Sequence, residues 1–150
     1  MQTFLPYPNF AMSANALDRQ RLGKQRVETL QIAKVISGHS SGWSNHPAVK
    51  MWHGYPEALL AYQNAICTFW GSFKYKDTCL DKTAEVLGLP ILGQTALDSS
   101  LLPPWLGDHA FHLSHRSNLL RKFPEWYRAF WPDDPDDLPY VWPVAAGATA

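Results

Sequence analysis

Asp18-Arg19-Gln20-Arg21-Leu22-Gly23-Lys24-Gln25-Arg26-Val27-Glu28 is the stretch that decides the fold. It lies inside a helix expected from about Asn15 to Ile36, with Ser13 as a candidate cap and Ser37-Gly38 as its stop. Arg21, Lys24 and Glu28 follow i, i+3, i+7 spacing and share one face, with Lys24 and Glu28 a direct i, i+4 pair. Such a pair on a solvated face is an ordinary ion pair. Four basic groups between Arg19 and Arg26 beside a single carboxylate equally suit a site that grips phosphates and holds one acid–base group.

On both sides of this helix the punctuation stays helical. Gly38 to Ser44 is a loop, Asn45 can cap a short helix opening at His46-Pro47, and Pro56 opens a longer one ending near Gly71. Leu59, Leu60, Ile66, Phe69 and Trp70 supply its apolar face. Asp77 or Thr78 can cap another helix that Gly88 closes, and Pro90 to Pro104 shows no period. A further helix from about Asp108 to Lys122 stops at Pro124, which opens a short aromatic turn, Glu125 to Trp131. No segment alternates as a strand does. The expectation is an all-α chain forming a single domain over residues 1–150.

Composition limits the function classes. The chain is 46% apolar and 17% charged, which is a folded globule rather than a disordered segment. No apolar run approaches the roughly 20 residues of a membrane span, and the start Met1-Gln2-Thr3-Phe4-Leu5-Pro6 lacks the parts of a signal peptide. A cytoplasmic location is expected, with no membrane contact. Cys67 and Cys79 lack zinc-type or CxxC spacing and read as reduced structural thiols. The net charge is zero, but Asp133, Asp134, Asp136 and Asp137 form a separate acidic segment. Setting those four aside leaves 13 basic against nine acidic residues, a body able to present a phosphate-binding face.

Two more constellations matter. In His109-Ala110-Phe111-His112-Leu113-Ser114-His115-Arg116 the residues His112, His115 and Arg116 fall in one helical sector. Zinc competes for such histidines, but the three-residue steps spread the rings around the helix and no further ligand accompanies them, so no metal or other cofactor is expected. A structural helix and a polar face directed to phosphates and a site remain open. Trp126 and Tyr127, with Phe130 and Trp131, are either core or a platform on which an unpaired base stacks.

In order along the chain, the Leu22 to Glu28 helix, Asn45-His46-Pro47, the Tyr55 to Trp70 helix, Tyr75-Lys76-Asp77-Thr78, Gly107-Asp108, Ser114-His115-Arg116 and Pro124-Glu125-Trp126-Tyr127 resemble the pyrimidine-dimer DNA glycosylases of the phage endonuclease V type. The resemblance implies a compact helical repair enzyme for cyclobutane dimers in double-stranded DNA, with no obligatory protein partner. An N-terminal α-amine would attack the sugar C1′, and the resulting Schiff base would proceed to strand cleavage as in an AP lyase. That amine, with a reference pKa near about 7.7–8.0, is partly neutral at cellular pH. Gln2 usually prevents removal of an initiator Met, so the amine would be that of Met1, with Lys24 as the alternative. Glu28 matches the assisting carboxylate. Arg26 and Arg21 would hold flanking phosphates beside the catalytic centre, and Arg116, Arg121 and Lys122 would grip the other side of the duplex. Arg19, His46, His112, His115, Trp126 and Tyr127 complete the expected DNA face. A DNA-binding module without glycosylase chemistry, or an enzyme for another modified base, are the alternatives.

Overall fold

The computed structural model describes residues 1–143 and, among them, seven helices and no strand. These are α1 (Phe10–Ala16), α2 (Arg19–Ile36), α3 (Pro47–Lys50), α4 (Pro56–Ser72), α5 (Cys79–Leu87), α6 (His109–Lys122) and α7 (Pro124–Tyr127), with 3-10 turns at Gln94–Ala96 and Ser99–Leu101. The all-α expectation holds. The single helix expected from Asn15 does not, because it is broken at Leu17-Asp18 into α1 and α2. Leu17 is extended and buried, while the Asp18 carboxylate accepts the free Arg21 N–H at the start of α2. Aspartate is more stable as a cap than inside a helix, so the break falls there. Ser13 is no cap. Its hydroxyl, inside α1, bonds both the N–H and the carbonyl of Tyr7, and Asn9 caps α1 instead.

Smaller corrections have the same kind of cause. His46, not Asn45, caps α3, its Nδ1 accepting from Ala48 N at 3.0 Å. Asp77 satisfies two free N–H groups of α5, those of Cys79 and Leu80, although Thr78 occupies the cap position. Gly88 ends α5 in the left-handed region at φ +67°, where a side chain would be strained.

Helix α4 is the axis of the core. Ala58 to Gln63 are all buried, so nearly its whole circumference is covered, by α1, α2 and α5. Around it Trp52, Tyr62, Phe10, Trp105 and Phe111 pack edge-to-face or tilted, with ring centroids 5.0 to 6.5 Å apart. Gly23 lets α2 approach α4: a Cβ there would stand 3.0 Å from the Trp70 ring. Beside it the Arg26 guanidinium lies 4.4 Å over that ring and bonds Asp77 at 2.7 Å.

The segment before α1 positions everything that follows. Residues 2–6 are buried and lie in neither helix nor strand, so their backbone groups must find side chains instead. Gln25 of α2 donates to the Gln2 carbonyl (2.6 Å) and accepts from Phe4 N (3.0 Å), as a neighbouring strand would. Tyr62 of α4 donates to the Phe4 carbonyl, and Trp52 to the Thr3 hydroxyl. Helix α6 holds the next residue from both sides: His115 Nδ1 accepts from Leu5 N (2.9 Å), and His112 Nδ1 donates to the Leu5 carbonyl (2.7 Å).

Candidate functional site

The buried N-terminal segment delivers Met1 to the rim of a cleft of about 330 Å³. Its walls are Met1, Gln2 and Phe4 from the segment, Gln20, Arg21, Lys24 and Glu28 from α2, Lys122 from the end of α6, and Tyr140. Three of the four residues expected at the catalytic centre, Met1, Lys24 and Glu28, are therefore brought together, with Arg21 and Lys122 from the expected phosphate contacts. Helical spacing puts Arg21, Lys24 and Glu28 on one face of α2, and the Gln25 clamp brings the chain start over that face.

Glu28 is not a plain surface residue. Its side chain is 16% exposed against 74% for Lys24, and the two stand 3.8 Å apart, too far for more than a loose ion pair. Its charge raises the pKa of Tyr62, Tyr140 and His46 alike, so the carboxylate faces into the cluster. His46 is lowered overall, by its partial burial first and by the N-terminal charge second, against the pull of Glu28. Burial raises Tyr140 above the usual phenol range, although the Gln2 amide acts to lower it. The site thus combines two amines, one half-buried carboxylate and cations at its mouth.

The model of the pyrimidine dimer DNA glycosylase family matches residues 1–83. The chain belongs to that family. The match spans the N-terminal segment, α1 to α4 and the first turns of α5, so Met1, Arg21, Lys24 and Glu28 lie within it, while Lys122 and Tyr140 lie beyond. No curated protein and no solved structure matches the chain.

Several residues expected on the DNA face sit elsewhere in this chain. Arg26 is a structural clamp, its side chain 16% exposed between Trp70 and Asp77 rather than in the cleft. His112 and His115 are buried and engaged with Leu5, and Tyr127 is buried with its hydroxyl on Asp18. None of the three is exposed. The acidic segment is not detached: Asp134 pairs with Arg116 at 2.8 Å, and Arg121 donates to the carbonyls of Asp136 and Leu138. Arg116 also holds the Pro6 carbonyl, so it ties together the two ends of the described chain. Arg19 is exposed and donates to the Tyr75 hydroxyl, His46 is partly exposed near the cleft, and Trp126 remains exposed with its indole N–H on the Ala16 carbonyl.

Sequence reasoning missed Gln2, Gln20 and Tyr140 as walls of the cleft. Tyr140 had a signal, since Pro139-Tyr140-Val141-Trp142-Pro143 sets two aromatics between prolines in a stretch that no helix could use. Both cysteines are free and buried, and burial pushes both thiols up, which keeps them unreactive. Among the described residues no three His, Cys, Asp or Glu side chains converge as metal ligands would, and no helix is long and apolar enough to cross a membrane.

Proposed function

We propose that the protein is a DNA N-glycosylase with AP-lyase activity on damaged pyrimidines, cyclobutane dimers foremost, in double-stranded DNA. The observation that carries this reading is the convergence of Met1, Lys24 and Glu28 on one cleft with Arg21 and Lys122 at its edge. The neutral α-amine of Met1 attacks C1′ of the damaged nucleotide. The C1′–N bond to the base breaks, its electron pair leaves with the base, and the base takes up a proton. Glu28 stabilises the positive charge that develops at the sugar and carries protons between amine, ring oxygen and water. The nitrogen loses one proton, and its lone pair then forms the C1′=N bond as the C1′–O4′ bond breaks, with O4′ taking up a proton through Glu28 to leave the protonated C1′ imine of the opened sugar. Removal of a C2′ proton expels the 3′ phosphate, which is the lyase step.

A carboxylate suits this work because it is held out of bulk water, where its field on the sugar is less screened than at an open surface. Lys24 is the second amine in reach, but it is exposed at 74%, a position better suited to a phosphate. Arg21 and Lys122 take the flanking phosphates. The protein acts without a resident cofactor.

The test is borohydride trapping on a duplex carrying one cyclobutane thymine dimer, followed by peptide mapping. An adduct on the Met1 peptide is expected, whereas one on Lys24 reassigns the nucleophile. Glu28→Gln keeps the size and removes the charge, so duplex binding survives while single-turnover base release falls by about 10²-fold or more. Equal cleavage by wild type and variant refutes the role of Glu28. Binding without any adduct, by wild type, favours a DNA-binding module that performs no chemistry.

A further inference from the structure

Tyr140 reaches the cleft on a segment that has no helix or strand of its own. Three buried polar side chains of α6 hold that segment: Ser117 accepts from Leu138 N at 2.9 Å, Ser114 accepts from Val141 N at 3.1 Å, and Asn118 donates to the Leu138 carbonyl at 3.1 Å. Polar groups are costly to bury unless they are bonded, so the inner face of α6 is committed to fixing residues 138–141. His115 meets the phenol ring edge-on at 5.4 Å and sets its position. Of this segment, Tyr140 alone is a wall of the cleft, beside Met1, Arg21, Lys24 and Glu28.

The Gln2 amide is the hydrogen-bonding group that acts on the Tyr140 hydroxyl. Gln2 is held at its other end, where Oε1 accepts from Thr3 N at 2.8 Å, and by its carbonyl on Gln25 at 2.6 Å. Its Nε2 is buried and completes no hydrogen bond among the described residues. An amide N–H turned to the phenol oxygen takes the lone-pair side, which leaves the phenol O–H free to point into the cleft. Burial above all keeps the Tyr140 pKa high, with Glu28 adding to it and Arg121 and Arg21 opposing. The hydroxyl is therefore a neutral donor at any working pH, among walls whose other donors are mostly charged.

Cations answer phosphates, and a neutral donor suits a carbonyl. On a pyrimidine nucleotide the carbonyl oxygen nearest C1′ is O2, on the carbon next to N1. When the C1′–N1 bond breaks, its electron pair spreads onto O2, so a hydrogen bond there strengthens in the transition state. Dimer formation saturates C5 and C6 and leaves O2 in place.

We propose that Tyr140 is a further catalytic residue of the cleft, donating a hydrogen bond to O2 of the departing pyrimidine, with Gln2 as the positioning residue that turns its O–H inward. The inference rests on the DNA-glycosylase reading and adds the group that receives the leaving base. The phenol keeps its proton throughout, so no covalent step runs through it.

The test is Tyr140→Phe, which keeps the ring beside His115 and Trp142 and removes only the hydroxyl. Two single-turnover rates are compared in one duplex sequence: base release at a cyclobutane thymine dimer, and strand cleavage at a preformed abasic site, where no base remains to leave. The ratio of the first to the second is expected to fall about 10²-fold, the usual effect of losing one donor to a developing oxyanion. Gln2→Glu keeps an oxygen for Thr3 N but sets an acceptor where the donor stood, so it should lower the ratio too, and lower it no further in the Tyr140→Phe background. Additive losses in the double variant overturn the part given to Gln2. The same ratio in wild type and Tyr140→Phe, whether both rates hold or fall together, overturns the role of Tyr140 and leaves the trapping result at Met1 untouched. A wild-type protein that gives no borohydride adduct with either duplex overturns this inference together with the glycosylase reading beneath it.

Discussion

Lowering the pH from 7 to 5 should weaken the fold through a single buried histidine that fastens the N-terminal segment. His115 is wholly buried, and burial, helped by the neighbouring His112, pushes its pKa down to about 3 from 6.5. Its Nδ1 must stay unprotonated to accept the Leu5 N–H, so the ring's one proton sits on Nε2, which has no partner, and a second proton on Nδ1 would break the bond to Leu5. In the unfolded chain the ring protonates near pH 6.5. Below that pH the unfolded state binds one more proton than the folded state, so stability is whole above about 6.5 and falls by roughly 1.4 kcal/mol per unit as pH drops toward 3. Between 6.5 and 5 the loss is about 2 kcal/mol, out of the roughly 5–15 kcal/mol typical of a domain. His112, lowered chiefly by burial, adds to it in the same direction. Asp77 does not interfere. Burial alone would raise it, but Arg26 and the N–H groups of Leu80 and Cys79 hold it below the usual carboxylate range, so its contribution is lost only below about pH 4. Urea unfolding at half-unit steps measures the slope, and His115→Asn, which keeps an acceptor for Leu5 N, should lower it by about one proton. Equal stability of the wild type at pH 7 and 5 would refute the reasoning.

Two further outcomes separate residues that the sequence placed together. Lys122→Ala should reduce the log–log salt dependence of duplex binding by about 0.9, the share of one phosphate contact. Arg116→Ala should leave that slope unchanged and instead lower the unfolding midpoint, because Arg116 is spent on Asp134 and Pro6. Gly23→Ala should destabilise by about 1–3 kcal/mol in thermal unfolding despite alanine's better helix propensity, since its methyl would push on the Trp70 ring across α2 and α4.

The helical class was legible because Pro47, Pro56, Gly88 and Pro124 mark helix ends by local chemistry, and each stands at an observed boundary or one residue beyond it. The α2 face was legible for a similar reason: Arg21, Lys24 and Glu28 are placed by helical spacing alone. Helix α6 was not. Its Ser114, Ser117, Asn118, His112 and His115 are all buried, against the expectation that polar residues face water. They are inside because two irregular segments need backbone partners. Ser117 accepts from Leu138 N, Ser114 from Val141 N, and Asn118 donates to the Leu138 carbonyl, while the histidines serve Leu5. Such pairings join residues far apart in sequence and leave no periodicity to read. The signal was indirect: two proline-interrupted stretches without helix or strand, and one helix with an excess of short polar side chains. Arg116, Arg121 and Arg26 were misplaced for a related reason, since charge on a helix does not reveal whether a phosphate or a folded-back carboxylate answers it.

The threading of residues 2–6 has a consequence for biosynthesis. The bonds from Leu5 to His115 and from Arg116 to Pro6 each close a loop of 110 residues, so Leu5 and Pro6 are held by groups synthesised 110 residues after them. At about 5–20 residues per second, the segment of residues 2–6 waits on the order of 5–20 s for its α6 anchor. Helices α1 to α5 are complete before then and can pack around α4, leaving the cleft without its floor. Gln25 and Tyr62 can already hold Gln2 and Phe4 at that stage, but Leu5 and Pro6 gain their partners, and the cleft its Lys122 wall, only when α6 docks.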